Sequence, residues 1–238
     1  MKTVIIAGGE GTRLRPYTTI LPKPLMPIGN QPILEIIIKQ LESQGLKDIT
    51  ISTGRLSELI MSFFGDGKKL GVNIKYSKED QPLGTVGGLG LIKDELKDTF
   101  LIINGDTLTT LAFSDLINYH KKNRGTATIA LNKRSTYIDY GVVELDSNSN
   151  IQGYIEKPTI DHLVSMGVNV LEPKILEYIK PRQKTDFPDL ILQLISNGEP
   201  VKGFVFEGRW LDMGRIDDYN KINTELDTIK KEFKISIT

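Results

Sequence analysis

Short apolar runs alternate with amphipathic stretches along most of this chain. Residues 3–7, 49–53, 73–77, 99–104 and 126–132 are compact, apolar and β-branched, and each run predicts a buried strand. Between them, Ile33, Leu34, Ile37, Ile38 and Leu41 fall on one helical face, and 113–122 predicts another helix with Ser114 as its cap. Strand, helix, strand in repetition predicts an α/β protein whose mainly parallel sheet is covered on both faces. Right-handed crossovers then place the ligand crevice along the edge where the strands end at their C-termini.

The second half is less regular. Residues 141–146 and 151–156 predict antiparallel strands about a turn at 147–150. A helix over 187–196, a strand over 201–206 and a closing amphipathic helix over 215–231 complete the pattern. No internal repeat, low-complexity tract or Ser/Gly linker interrupts it, so the expectation is a single domain over 1–225. Residues 226–238 form the C-terminal tail of the closing helix, fraying over the last seven or so.

Composition narrows the chemistry. At 238 residues and 39% hydrophobic, the chain can bury roughly 70% of its unfolded surface without staples. The absence of cysteine removes disulfides, thiolate zinc sites, iron–sulfur clusters and cysteine nucleophiles together. Two histidines, His120 and His162, argue against a His-rich metal centre or a Ser-His-Asp relay. His120 reads as a partner of its helix's C-terminal dipole. Thirty Lys+Arg offset thirty Asp+Glu, so no global basic field draws the chain to nucleic acid. The apolar run 4–7 is too brief for a signal segment, and nothing approaches the roughly 18 apolar residues of a membrane span. These features predict no nucleic-acid partner, no membrane span and a cytoplasmic location; a homodimer is left open.

The candidate chemistry begins after the first strand, at Gly8-Gly9-Glu10-Gly11-Thr12-Arg13-Leu14-Arg15-Pro16. Glycines there let backbone N–H groups approach an anion, and Arg13 can add a bidentate fork to phosphate; a plain flexible turn is the bland alternative. A dinucleotide fingerprint fails because Leu14 stands where its third glycine belongs, and no P-loop Gly-Lys-Ser/Thr occurs. From 8 to about 30 neither helical nor strand periodicity appears, a length at which loops are usually functional or disordered. Pro16, Pro22, Pro24 and Pro27 predict an ordered path, with Lys23 held extended by the proline after it.

Further on, Gln81-Pro82-Leu83-Gly84-Thr85-Val86-Gly87-Gly88 opens a predicted helix with little side-chain bulk. That suits a flat ring or phosphate on the backbone, or close helix–sheet packing. Asp106 ends a strand and projects at the sheet edge, and Asp212, in Trp210-Leu211-Asp212-Met213-Gly214, ends another strand-like run. Two such carboxylates suit Mg²⁺, although each alone could be a cap. Trp210 reads as packing beside Asp212 rather than as a stacking platform. Glu156-Lys157-Pro158 repeats the extended lysine before proline.

Taken in order, the opening Gly-Gly-x-Gly-Thr-Arg-Leu-x-Pro run, Pro22-Lys23-Pro24, Gly105-Asp106, Tyr140-Gly141-Val142-Val143, Glu156-Lys157-Pro158 and Trp210-x-Asp212-x-Gly214 resemble the sugar-1-phosphate nucleotidylyltransferases, or nucleotide-sugar pyrophosphorylases, over 2 to about 223. The resemblance implies a single-domain, Rossmann-like three-layer α/β/α fold with 1–225 as its catalytic domain. It also implies Mg²⁺-dependent transfer of a nucleotidyl group to a sugar 1-phosphate with release of pyrophosphate.

By the same resemblance, Gly8, Gly9, Gly11, Thr12 and Arg13 would hold the triphosphate, Lys23 the α-phosphate, and Asp106 and Asp212 the Mg²⁺. Gln81, Gly84 and Thr85 would contact the base. Lys157 would bind the sugar phosphate, with Glu156, Gly141 and Asn169 on sugar hydroxyls. The Pro-Leu-Gly-Thr-x-Gly form is similar to the mannose-1-phosphate guanylyltransferase branch and related heptose or amino-sugar enzymes, which favours GTP. A dTTP- or UTP-using glucose-1-phosphate enzyme and an inactive regulatory subunit are the alternatives. Many guanylyltransferases carry a C-terminal β-helix, so roles tied to that domain are not carried over. A glycosyltransferase fits less well, because Asn104-Gly105-Asp106 is not Asp-x-Asp.

Overall fold

The computed structural model describes residues 1–233; part of the segment expected to fray, 234–238, lies outside the described residues. The chain enters as β1 (Lys2–Ala7), β2 (Pro27–Ile28), β3 (Gln31–Pro32), α1 (Ile33–Ser43), β4 (Asp48–Thr53), α2 (Ser57–Phe64) and β5 (Asn73–Lys78). It continues through β6 (Phe100–Asn104), β7 (Thr107–Thr109), α3 (Phe113–Asn123) and a long β8 (Ala127–Tyr137). A hairpin of β9 (Val142–Leu145) and β10 (Ile151–Ile155) leads to β11 (Thr159–Leu171), α4 (Phe187–Ser196) and β12 (Val201–Phe206). The described chain closes with β13 (Trp210–Asp212), α5 (Ile216–Thr224) and α6 (Leu226–Glu232).

Seven strands form one sheet in the order β12-β8-β11-β6-β1-β4-β5. Every neighbouring pair is parallel except those made by β11, which runs antiparallel to both β6 and β8. The sheet is buried on two faces, which explains why its strands read as continuous apolar runs. Val4, Phe100 and Ile102 enter one apolar cluster, while Ile5, Leu101 and Ile103 enter the other. Helix α1, with Ile33, Leu34, Ile37, Ile38 and Leu41, covers the second face together with α3 and the C-terminal helices. A 3-10 segment at Gly87–Glu95 and helix α4 cover the first. The single-domain, three-layer α/β architecture with a mostly parallel sheet is therefore as expected.

Several local expectations are corrected. Ser114 does not cap α3: the N-cap is Ala112, and the Phe113 N–H donates to Gln44 Oε1 at 2.7 Å, a cap supplied by the residue after α1. The closing helix is broken at Glu225 into α5 and α6, with Arg209 paired to Glu225 at 2.5 Å and to Glu232 at 3.1 Å. The helix expected to open near Gly84 is the 3-10 segment, and β8 runs five residues beyond its expected end. His120 is buried rather than facing its helix end: Nδ1 meets Thr128 Oγ1 at 2.8 Å and Nε2 meets Glu172 Oε1 at 2.9 Å. Trp210 does pack against the core, its indole N–H donating to Met166 O at 3.0 Å with the Arg134 guanidinium 4.7 Å above its ring.

Candidate active site

Parallel strands β1, β4, β5 and β6 end at the same edge, so the loops that follow them converge there. The loop after β1 is tightly built. It makes 3-10 turns at Thr12–Leu14, Tyr17–Thr19 and Lys23–Leu25, and Leu14, Thr18, Leu25 and Met26 are buried. Gly11 has φ +63°, and a Cβ there would lie 2.9 Å from Thr18 Cγ2, so only glycine fits. The Thr18 hydroxyl donates to Gly11 O at 2.8 Å, and Arg55 donates to Thr19 O at 2.6 Å from the far side. Gly9 has no neighbour that a Cβ would meet, which leaves its backbone open to a ligand.

Lys23 is not held extended as its following proline suggested; it opens a 3-10 turn, with Leu25 N–H donating to Pro22 O at 2.8 Å. From that turn its ammonium donates to Asp106 Oδ2. Asp106 is fixed by Gly105, whose N–H donates to Ile6 O at 2.8 Å. Strand β13 pairs antiparallel with β7, placing Asp212 opposite Thr107 and beside Asp106, while Met213 N–H donates to Asp106 O at 3.2 Å. Burial pushes the Asp212 carboxyl above the ordinary carboxylate range, and the Asp106 charge adds to this; Lys23 and Arg13 pull it back. A Cβ on Gly214 would sit 3.1 Å from Asp212 Oδ2 and 3.6 Å from Arg13 Nη1, which brings Arg13 to the same corner.

Arg13, Lys23 and Asp106 border a cleft of about 530 Å³ whose lining also includes Gly8, Gly9, Gly11, Thr12, Gly84, Thr85 and Gly214, whereas Asp212 lines a neighbouring cavity with Trp210 and Asp218. Gln81 is not in that lining; its side-chain amide donates to Arg182 O at 3.3 Å. Gly84 has φ +78°, with a would-be Cβ 2.6 Å from Thr185 O. Thr85 ties this loop to α4: its N–H donates to Asp186 Oδ1 at 3.1 Å, and its Oγ1 accepts the Phe187 N–H at 2.5 Å. The low bulk of 84–88 thus serves close packing as well as an open cleft.

Sequence reasoning missed Glu79. Its carboxylate is buried in the cleft wall, with Oε1 accepting from Ser52 Oγ and Oε2 from Leu83 N–H, both at 3.0 Å. Gly88 makes room for it, since a Cβ there would lie 2.6 Å from Oε1. The signal was present: Glu79 directly follows β5 at the same strand-end edge that singled out Asp106.

The remaining expected residues lie elsewhere. Gly141, Glu156 and Lys157 are on the β9–β10 hairpin and its flanks, outside the cleft lining. Lys157 is not extended either; its φ is +46°, its N–H donates to Tyr140 O, and its ammonium pairs with Asp139 at 2.9 Å. Glu156 accepts from Tyr154 Oη at 3.2 Å. Asn169 is buried on β11 beside a smaller cavity that shares Ile6, Thr85 and Asn104 with the main cleft. Among the described residues no group of three or more His, Cys, Asp or Glu could hold a metal unaided, and no helix is long and apolar enough to cross a membrane.

The profile of the nucleotidyl transferase family matches residues 2–228. The chain is similar to a probable mannose-1-phosphate guanylyltransferase 1 of Oryza sativa subsp. japonica, 33% identical over 98% of this chain and 66% of that one. It is 36% identical to a mannose-1-phosphate guanyltransferase of Schizosaccharomyces pombe (92% and 62% covered). It is 33% identical to a UTP–glucose-1-phosphate uridylyltransferase of Synechocystis (92% and 61% covered). The chain therefore spans between 61% and 66% of the length of these relatives. Among solved structures, a putative glucose-1-phosphate thymidylyltransferase from Bacillus anthracis superposes with TM-score 0.77 at 25% identity, covering all of this chain and 97% of that one.

Proposed function

This chain belongs to the nucleotidyl transferase family, and from that premise we propose that it transfers a nucleotidyl group from a nucleoside triphosphate to a sugar 1-phosphate. The observation that carries this reading is the meeting of Arg13, Lys23, Asp106 and Asp212 beside an open glycine loop. In the reaction an oxygen of the sugar phosphate bonds to the α-phosphorus as the bond to the α–β bridging oxygen breaks, and pyrophosphate leaves with that electron pair. The nucleophile is already an anion, so no general base is required; alignment and charge neutralisation suffice.

The open backbone of Gly8, Gly9, Gly11 and Thr12, with Arg13, holds the outer phosphates. Lys23 exchanges Asp106 for an oxygen of the α-phosphate. Asp106 and Asp212 fit Mg²⁺: two hard-oxygen donors crowd one corner, which burial and mutual repulsion make unfavourable for bare carboxylates. Mg²⁺ held by these two would take its other ligands from phosphate and water and would supply positive charge at the phosphoryl oxygens. Lys157, with Glu156 and Gly141, receives the sugar phosphate from the hairpin side.

For the base, Glu79 supports guanine. A carboxylate accepts only, and each Glu79 oxygen keeps a lone pair beyond its bond to Ser52 or Leu83. Guanine presents two adjacent donors, N1–H and N2–H₂, whereas uracil and thymine present one donor flanked by two acceptors. The rice and fission-yeast relatives carry guanylyltransferase names, in keeping with this. The second reading, UTP or dTTP with glucose 1-phosphate, draws on the Synechocystis relative and the Bacillus structure. Pyrophosphate release with Mg²⁺, across GTP, UTP, dTTP, CTP and ATP against mannose-, glucose-, glucosamine- and heptose-1-phosphates, tests both. Turnover confined to GTP supports the first reading, and turnover confined to UTP or dTTP overturns it. No turnover in any combination overturns nucleotidyl transfer to these sugars.

A further inference from the structure

The glycine loop after β1 is gripped by a turn that does not itself line the cleft. Strand β4 lies parallel to β1 with Thr53 opposite Ala7, so the turn that leaves β4 runs alongside the loop that leaves β1. Gly54 and Gly8 meet there: a Cβ on Gly54 would lie 2.8 Å from Gly8 O and 3.4 Å from Gly8 Cα. A larger residue at 54 would push the entry to the loop out of place.

Arg55 holds the other end. Its Nη2 donates to Thr19 O at 2.6 Å and its Nη1 to Thr18 O at 3.4 Å, two carbonyls of the 3-10 turn Tyr17–Thr19. Thr18 is only 3% exposed and passes the grip on: its hydroxyl donates to Gly11 O, and its methyl group fills the space that a Cβ on Gly11 would need. The loop is thus fixed at Gly8 and at Gly11, while Gly9 between them stays open. The gripping turn is itself strained. Leu56, next to Arg55, has φ +61°, a left-handed conformation that bulky side chains rarely adopt. Such strain persists only where the surroundings dictate it, and here it accompanies the reach of Arg55 to the loop.

We infer that Arg55 is a positioning residue for the outer phosphates of the nucleotide: acting through Thr18, with Gly54 behind Gly8, it fixes the backbone that receives them. The inference rests on the assignment of those phosphates to the backbone from Gly8 to Thr12, and adds what gives that backbone its shape. N–H groups that already point at an anion bind it without an ordering cost, whereas a loop that must be ordered on binding subtracts that cost from the affinity. Arginine suits the task because its planar fork reaches two adjacent carbonyls at once.

Inorganic pyrophosphate, which matches the outer phosphates without base or sugar, is the direct probe. Its affinity, measured by calorimetry with Mg²⁺, should fall about 10-fold in Arg55→Ala. KM for the nucleoside triphosphate should rise in step and KM for the sugar phosphate should not. Because Arg55 is exposed, Tm should stay within about 2 °C. Arg55→Lys keeps the charge but not the fork, and its pyrophosphate affinity should remain well below that of the wild type. Full recovery by lysine would mean that charge alone matters, and would overturn the inference. So would an unchanged pyrophosphate affinity in Arg55→Ala, or an equal rise in both KM values with a lower Tm, which would make Arg55 a support of the fold in general. The binding arm needs no turnover, so it decides on Arg55 even where no sugar phosphate is converted. A wild type that binds neither pyrophosphate nor any of the five triphosphates would instead sink the phosphate assignment itself, and the inference with it.

Discussion

The two regions proposed to hold the substrates, the cleft and the hairpin outside its lining, are built in opposite ways. On the phosphate side, the loop after β1 is anchored by buried Leu14, Thr18 and Met26, cross-tied through Thr18 and Arg55, and locked to β6 and β13 through Lys23, Asp106 and Asp212. On the hairpin side, β9 and β10 form a two-stranded sheet of their own, and Tyr140, Leu145, Ile151 and Tyr154 are 78%, 60%, 68% and 63% exposed. Such a hairpin is marginal in water without further packing. The ion pair at its flank, Lys157–Asp139, is solvent-exposed and contributes little. The difference teaches how the work is divided. In the proposed reaction the nucleotide's phosphates would meet groups already in position, whereas the sugar phosphate would help to position the groups assigned to it.

The strongest way to break this picture is at its most rigid point. Asp106→Asn keeps the shape of the corner but removes a charge, so turnover at saturating substrate should fall by about 10²–10³-fold with Tm nearly unchanged. Near-normal turnover at limiting Mg²⁺ would remove Asp106 from the proposed metal site. Next in size is Glu79→Gln, which should lower kcat/KM for GTP by roughly 10–100-fold while sparing UTP, because the amide presents a donor where guanine needs an acceptor. An unchanged GTP-to-UTP ratio would exclude Glu79 from base selection.

The same division explains what the sequence could reveal. The strands of the buried sheet were legible because both faces are covered and their apolar runs are continuous, as in β1 and β6. Strand β11 was not legible: its outer half, from Thr159 to Leu163, is exposed on both faces, and its register shifts between Ser165 and Asn169, so no period survives. Asp106 and Asp212 could be read from their strand-end positions, and the structure brings them together. Lys23 and Lys157 stood out in the sequence because each precedes a proline, but the restriction before proline misjudged their backbones. A 3-10 turn at Lys23 and the Lys157 N–H bond to Tyr140 O override that local preference. Glu79 escaped although it follows β5 at the same strand-end edge, because its burial between Ser52 and Leu83 rests on a long-range contact, with Ser52, that no local pattern encodes.

A smaller effect tests the hairpin wall. Lys157→Ala should raise KM for the sugar phosphate by about 10-fold, the scale of one charge-assisted hydrogen bond, and leave KM for the nucleotide unchanged. Because its ion pair with Asp139 is exposed, Tm should not move. An equal rise in both KM values would mean that the hairpin also shapes the phosphate wall, and the contrast between the two would fail.

The smallest effect asks whether preorganisation on the phosphate wall is held against stability. The Asp212 carboxyl lies above its ordinary range, chiefly through burial and then through Asp106. Between the ordinary and the raised value the folded chain binds a proton that the unfolded chain does not. Asp212 therefore contributes stability that is full below the ordinary value and is lost as pH rises through the folded one. Above the raised value its charged form is held at a disadvantage. Asp212→Asn, melted in the presence of a chelator, should accordingly raise Tm at pH 7 by about 2 °C, with the gap closing as acid protonates Asp212 in the parent. The matching change on the hairpin, Asp139→Asn, should leave Tm at pH 7 unchanged, since Asp139 and its ion pair are exposed. A lower Tm for Asp212→Asn at neutral pH would mean that Lys23 and Arg13 outweigh burial at that corner. The phosphate wall would then be stabilised by its own charges rather than strained by them.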